Sequence, residues 1–237
     1  MTAGTIITNT IRRTSGKSIA TVTISRPSKL NALNSHLLNL LAQEIRSIPE
    51  NYSDLIAIVL TGHGHKAFVG GLTSCRPRFI TRVHATSKNI NGCPIPVIGR
   101  MNRYALGAGL EIAASCDFRV ASRNAVFGMP EVNVGIPSVF EAALLPGLIG
   151  WGRTRRLLML GENISAIEAL QWGLTEKVVE ASGPGAVRRQ KKVIRQWQQL
   201  GLDKAIEAGI PAFGESFEDG AEGPQMLSEF LKRKQKL

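Results

Sequence analysis

The spacing of apolar residues along the chain changes several times, and each change marks an element. Thr5–Thr10 and Ile19–Ile24 are rich in β-branched residues on either side of Ser15-Gly16, the composition of a hairpin. Arg26-Pro27 stops the second strand. From Ser35 to Ile48 the spacing becomes helical, with Leu37, Leu38, Leu40, Leu41 and Ile45 on one side and Ser35 as the expected N-cap. Leu55–Leu60, after Asp54, is too apolar and too branched for a surface helix and reads as a buried strand.

A rhythm follows. Ile56–Leu60 runs into Gly62–Gly71, Pro96–Met101 into Ala105–Gly109, and Val126–Met129 into Pro130–Gly135. Helical material comes after the first two. The pattern predicts an α/β fold of similar strand–turn–helix layers stacked in succession. From Ser138 the chain reads as mostly helical, over Ser138–Ile149 and Arg153–Leu160. Ser165 is placed to cap a helix through Gly173, and Glu176–Glu180 is a short strand. Gly183-Pro184-Gly185 is a break, so the expected organisation is a core over residues 1–182 and a helical C-terminal region over residues 183–237. In that region Ala186–Leu200, Leu202–Ala208 and Pro224–Lys234 read as helices with charged faces, suited to pack on the core or on another subunit.

Composition narrows the function classes. A hydrophobic fraction of 43% and a charged fraction of 20% are ordinary for a globular chain of 237 residues. The net charge of +11 favours an anionic partner, although a solvated basic helix face accounts equally well for Arg188–Arg195 and Lys232–Lys236. With 5% aromatic residues and no recognition motif, nucleic acid is not the expected partner. Cys75, Cys93 and Cys116 lack metal-ligand spacing and cannot all pair, which suggests a reducing, intracellular setting. His63-Gly-His65 is too slight a signal for a metal site, and none is expected. No run approaches a membrane span, so no membrane insertion is expected. The final Gln235-Lys236-Leu237 resembles a Ser-Lys-Leu peroxisomal address without its small first residue, leaving cytoplasmic and peroxisomal placement both open.

Three segments carry candidate chemistry. In Tyr104-Ala-Leu-Gly-Ala-Gly-Leu-Glu111 a strand gives way to small residues and a helix begins near Ala108. The first N–H groups of a helix have no partner within it and suit an anion, and Glu111 lies about one turn in. Taken alone, the segment reads equally as a tight strand–helix joint with an acid in the first turn. Lys66-Ala-Phe-Val-Gly70-Gly71-Leu72-Thr73 is another glycine turn, offering the N–H groups of Gly71 and Leu72, or simply a surface turn. In Phe127-Gly-Met-Pro130-Glu131-Val-Asn-Val-Gly135-Ile-Pro137 a second carboxylate sits in an otherwise apolar loop. Such surroundings raise a carboxyl pKa and let it hold a proton near neutrality.

Together, in this order, these segments resemble the enoyl-CoA hydratase/isomerase (crotonase) superfamily. Ser25-Arg-Pro-Ser-Lys-Leu-Asn-Ala-Leu-Asn34 looks like its first signature, Phe68-Val-Gly-Gly-Leu72 like its Phe-x-Ala-Gly-Ala turn, and Gly107-Ala-Gly-Leu-Glu111 like its Gly-Gly-Gly-x-Glu turn. Pro130-Glu131 and Gly135-Ile-Pro137 match its second catalytic loop. The resemblance implies a crotonase-like spiral of ββα layers with a C-terminal helical region. It implies an enzyme that adds or removes water across an α,β-unsaturated acyl-CoA thioester, with isomerase, specialised biosynthetic and RNA-binding relatives as the alternatives. Catalytic roles would fall on Glu111 and Glu131, and oxyanion-holding N–H groups on Leu72 and Ala108. CoA or substrate contacts would fall on Ser28, Lys29, Leu30, Lys66, Gly70, Gly71 and Gly107, and on Arg233 from a neighbouring tail. No cofactor is implied beyond the CoA of the substrate, and the assembly implied is a homotrimer or hexamer. Gly70-Gly71-Leu72-Thr73 departs from the usual Ala-Gly-Ala-Asp, and the stretch from Thr73 to Gly92 is short. Both departures bear on the acyl pocket.

Overall fold

The computed structural model describes residues 3–12, 16–73, 77–138 and 140–179, with the single positions 211 and 224. By its internal contacts the chain divides into two units, Met1–Glu180 and Ala181–Leu237, and the account below concerns the first. The three helices expected beyond Gly185, and Arg233 with them, lie outside the described residues.

The hairpin forms as its composition predicts. β1 (Thr5–Arg12) and β2 (Ser18–Ser25) pair antiparallel in continuous register from Thr5 opposite Ser25 to Arg12 opposite Ser18. Helix α1 (Ser35–Asn51) turns Leu37, Leu38, Leu41, Ile45 and Ile48 into the core. Its cap is Asn34 rather than the expected Ser35. Asn34 is extended and its side chain accepts from the Leu37 N–H at 2.8 Å, while the Ser35 hydroxyl accepts from Arg82 at 3.1 Å. The two polar residues stand side by side, and backbone direction chose between them.

The expected layers are present, with one strand more in each. β3 (Leu55–Gly62), β4 (Ala67–Val69) and helix α2 (Pro77–Asn91) form one layer, and β5 (Val97–Met101), β6 (Tyr104–Leu106) and helix α3 (Ala108–Ala114) the next. β7 (Phe118–Ser122) and β8 (Val126–Gly128) follow. The long strand of each layer joins one sheet and the short strand another. The larger sheet runs β1-β2-β3-β5-β7-β10, parallel from β2 onward, and the smaller runs β4-β6-β8-β9; β10 is Lys177–Val179 and β9 is Asn163–Ser165. The spiral of ββα layers implied by the resemblance is therefore the architecture found. Three-residue strands such as β4 and β6 are too short to show a period of two, and the sequence reads them as parts of glycine turns.

The helical stretch expected from Ser138 is more broken than its periodicity suggests. A 3₁₀ turn occupies Phe140–Leu144, and helix α4 (Leu145–Leu160) follows with Gly150 in a non-helical conformation inside it. Helix α5 (Ala166–Trp172) has the predicted ends, with Ser165 and Glu168 forming a reciprocal capping box and Gly173 closing the C-terminus. One apolar cluster runs through the unit, from Val22, Ile24 and Leu37 to Phe68, Ile112, Phe127 and Leu157. No helix among the described residues is long and apolar enough to cross a membrane.

Candidate active site

Four pieces of chain meet around a cavity of about 280 Å³. The first is the turn after β4. There the Gly70 N–H donates to Leu30 O at 2.9 Å, the Leu33 N–H to Gly71 O at 3.0 Å and the Thr73 N–H to Leu33 O at 3.0 Å. This binds the turn to the Arg26–Asn34 loop, while the Leu72 N–H takes no part in the backbone bonds among the described residues. Asn31 fixes the loop from within. Its side chain accepts from the Arg26 N–H and donates to the carbonyls of His63 and Ala67 at 3.0 and 2.8 Å. Leu30 and Asn31 both take left-handed backbone angles, φ 51° and 56°; asparagine adopts this conformation readily, whereas for Leu30 it costs free energy and persists because these bonds over-determine it.

The second piece is the start of α3. Gly107 precedes the helix at φ 54°, and a methyl group there would overlap Glu131 Oε1. The positive φ favours glycine here, and any side chain would also displace the Glu131 carboxyl. Its N–H donates to Gly128 O at 2.9 Å, tying the helix start to the end of β8. A methyl on Gly109 would overlap the Val69 carbonyl, so the helix packs directly on β4. Ala108, as the first helical residue, has no intrahelical acceptor for its N–H.

Glu111 and Glu131 both line the cavity, with Leu72, Ile80, Leu106, Ala108, Ile136 and Pro137 among the other walls. Glu111 is 7% exposed and accepts the Ala142 N–H at 3.3 Å. Burial, then the nearby charges of Glu141 and Glu131, push its carboxyl up from 4.5 to about 8. Glu131 sits in a 3₁₀ turn, Pro130–Val134, and accepts the Ser138 hydroxyl at 3.2 Å. Burial also raises its pKa, partly offset by hydrogen bonds to its own backbone and to Ser138. The carboxyl of Glu131 is raised as expected, and Glu111, for which no raised carboxyl was expected, is the more deeply buried of the two.

Seven of the residues singled out in the sequence thus gather on one cavity: Gly70, Gly71, Leu72, Gly107, Ala108, Glu111 and Glu131. Ser28, Lys29, Leu30 and Lys66 are exposed and do not line it. Ser28 and Lys29 lie in a short 3₁₀ turn, Pro27–Lys29, and Lys66 lies just before β4. Sequence reasoning passed over Ser138, Ala142 and Glu141. Glu141 left a readable trace, as an isolated acid within an apolar segment. The Ala142 amide left none, because a backbone donor has no side chain to mark it. No group of three or more metal-ligating side chains occurs among the described residues.

The profile of the enoyl-CoA hydratase/isomerase family matches residues 14–222. The chain belongs to that family. Among its relatives, the short-chain-enoyl-CoA hydratase of Clostridium acetobutylicum is 37% identical, over 96% of this chain and 97% of that protein. The crotonyl-CoA hydratase of Syntrophomonas wolfei is 31% identical, over 91% and 92%. Among solved structures, an enoyl-CoA hydratase from Bacillus anthracis superposes with a TM-score of 0.68 at 28% identity, covering 96% of each chain. Family membership and fold therefore agree with the geometry of the cavity, reached independently of it.

Proposed function

We propose that the chain catalyses the reversible addition of water to an α,β-unsaturated acyl-CoA thioester. The observation that carries this reading is the pair of carboxyls, Glu111 buried and Glu131 half-buried, on one largely apolar cavity with Leu72 and Ala108. Addition of a hydroxyl at the β-carbon drives negative charge onto the thioester oxygen, and the N–H groups of Leu72 and Ala108 are assigned to hold it. The β-carbon takes oxygen from water and the α-carbon takes a proton, so one carboxyl must be ionised while the other carries a proton. With its carboxyl at about 8, Glu111 favours the protonated form at neutral pH in the free site. Glu131, beside the Ser138 hydroxyl, is the more readily ionised. The two titrate as a pair, and it is the pair's single proton that the reaction uses.

Lys29 and Lys66, both exposed, are offered to the phosphates of CoA outside the acyl cavity, with Arg233 of a neighbouring copy as a third cation in a trimeric or hexameric assembly. The relatives named for short-chain and crotonyl substrates support a short acyl group.

The test is a panel of trans-2-enoyl-CoA thioesters with products identified by mass. Hydration gives a product heavier by one water, whereas an isomerase returns the same mass. Glu111→Gln and Glu131→Gln are each expected to lower kcat by about 10²–10⁴-fold. Full turnover in either variant would overturn the assignment.

A further inference from the structure

Glu141 is buried yet lies outside the cavity just described. It faces a second cavity of about 510 Å³, lined by His84, Ser87, Lys88 and Asn91 of α2, with Ser115 and Glu141 itself. One oxygen, Oε1, is 2.7 Å from Nδ1 of His84. The other, Oε2, is buried with no hydrogen-bond partner among the described residues, as is Ser87 Oγ. The next residue reaches the other way, since the Ala142 N–H donates to Glu111 Oε1. A single 3₁₀ turn thus touches Glu111 through its backbone and His84 through its side chain. Burying a half-partnered carboxylate destabilises a fold, and Glu141 keeps that burial in the first turn of the Phe140–Leu144 3₁₀ helix.

Resting on the reading of Glu111 given above, we propose that Glu141, oriented by His84, is a positioning residue for the reaction. It holds the Glu111 carboxyl through the Ala142 amide and opposes its ionisation by like charge. The Glu141 carboxylate is, after burial, the foremost cause of the raised Glu111 carboxyl. Among the other charged groups around α3, the buried Arg119 donates to the Ala113 and Cys116 carbonyls at its C-terminal end. α2 brings His84 and Lys88, both on the second cavity. The Pro130–Val134 turn brings Glu131, β6 carries Tyr104, and β4 carries no titratable residue.

The experiment is the pH dependence of kcat/KM with trans-2-butenoyl-CoA for the whole chain and its variants. The basic limb reports loss of the pair's last proton in the free enzyme. Glu141→Gln keeps shape and removes charge, so the limb should move to lower pH by about half a unit or more. His84→Asn should move the limb in the parent chain and move it less in the Glu141→Gln background, because the proposed effect of His84 on Glu111 runs through Glu141. Circular dichroism of each variant across the same pH range shows whether it stays folded through the limb, which separates a shifted carboxyl from unfolding at high pH. A uniform drop at every pH with the limb unmoved, or equal His84→Asn effects in both backgrounds, would overturn the proposal. Glu111→Gln separates the two levels. If it retains full activity and the limb, the reading of the active site fails. If it abolishes turnover while Glu141→Gln leaves the limb in place, only the present proposal fails.

Discussion

The two carboxylates reach one cavity from unlike pieces of chain. Every residue of α3 is buried, and Glu111 is held where neighbouring backbone, Gly107 and Ala142, has already been fixed by packing. The Pro130–Val134 turn has no buried residue at all, and Val134 is 74% exposed. Glu131 is held there by the turn itself, by the Ser138 hydroxyl and by the space that Gly107 leaves. Desolvation follows the same division, and with it the protonation states. A site that needs one acid and one base can separate them by placing one carboxyl on a core helix and the other on an exposed turn.

The largest expected effect comes from joining the two regions by force. Gly107→Ala puts a methyl group against Glu131 Oε1 at a left-handed backbone position. A loss of about 2–4 kcal/mol in stability, and of about 10²-fold or more in kcat, is expected. Denaturant unfolding together with kcat measures both; a variant as stable and active as the parent would show that the helix start and the turn are not in contact.

A second effect isolates the buried region. The folded-state carboxyl of Glu111 lies above its ordinary 4.5, at about 8. The native state therefore binds more protons than the unfolded state between these values. The contribution of Glu111 to stability is full below about pH 4.5 and is lost as pH rises to about 8. Glu111→Gln removes that dependence. Its stability relative to the parent chain should rise across this window by on the order of a few kcal/mol and then level off. Thermal unfolding at several pH values checks it, and a difference independent of pH would contradict it.

The smallest effect belongs to the exposed region. Ser138→Ala removes one hydroxyl from Glu131 and nothing from Glu111. A loss of about three- to tenfold in kcat/KM is expected, the equivalent of roughly 1 kcal/mol, with the acidic limb of the rate profile moved to higher pH as the ionised form of Glu131 loses its donor. A change as large as that of Glu131→Gln would mean that the turn depends on Ser138 for its shape.

Most of the fold was legible along the chain. The hairpin, α1, the strands β3, β5 and β8 and the ends of α5 follow from local spacing and end residues such as Ser165 and Gly173, which act over a few residues, whereas β7 was not read from the sequence. The short strands β4 and β6, the choice of Asn34 over Ser35 as cap and the 3₁₀ turn at Phe140–Leu144 were not legible. Each depends on partners distant in sequence.

The same boundary runs through the site. The sequence by itself determined which residue types are present and in what order: two glutamates, two glycine turns and small residues where backbone must approach closely. That order sufficed to place the chain in its family. Only the tertiary structure decided that Glu111 is the more buried carboxyl, that Gly107 makes room for Glu131, and that Ala142 and Glu141 stand behind Glu111. The physical reason is that desolvation and close approach belong to surfaces brought together from separate layers. A residue's neighbours in sequence carry no record of them.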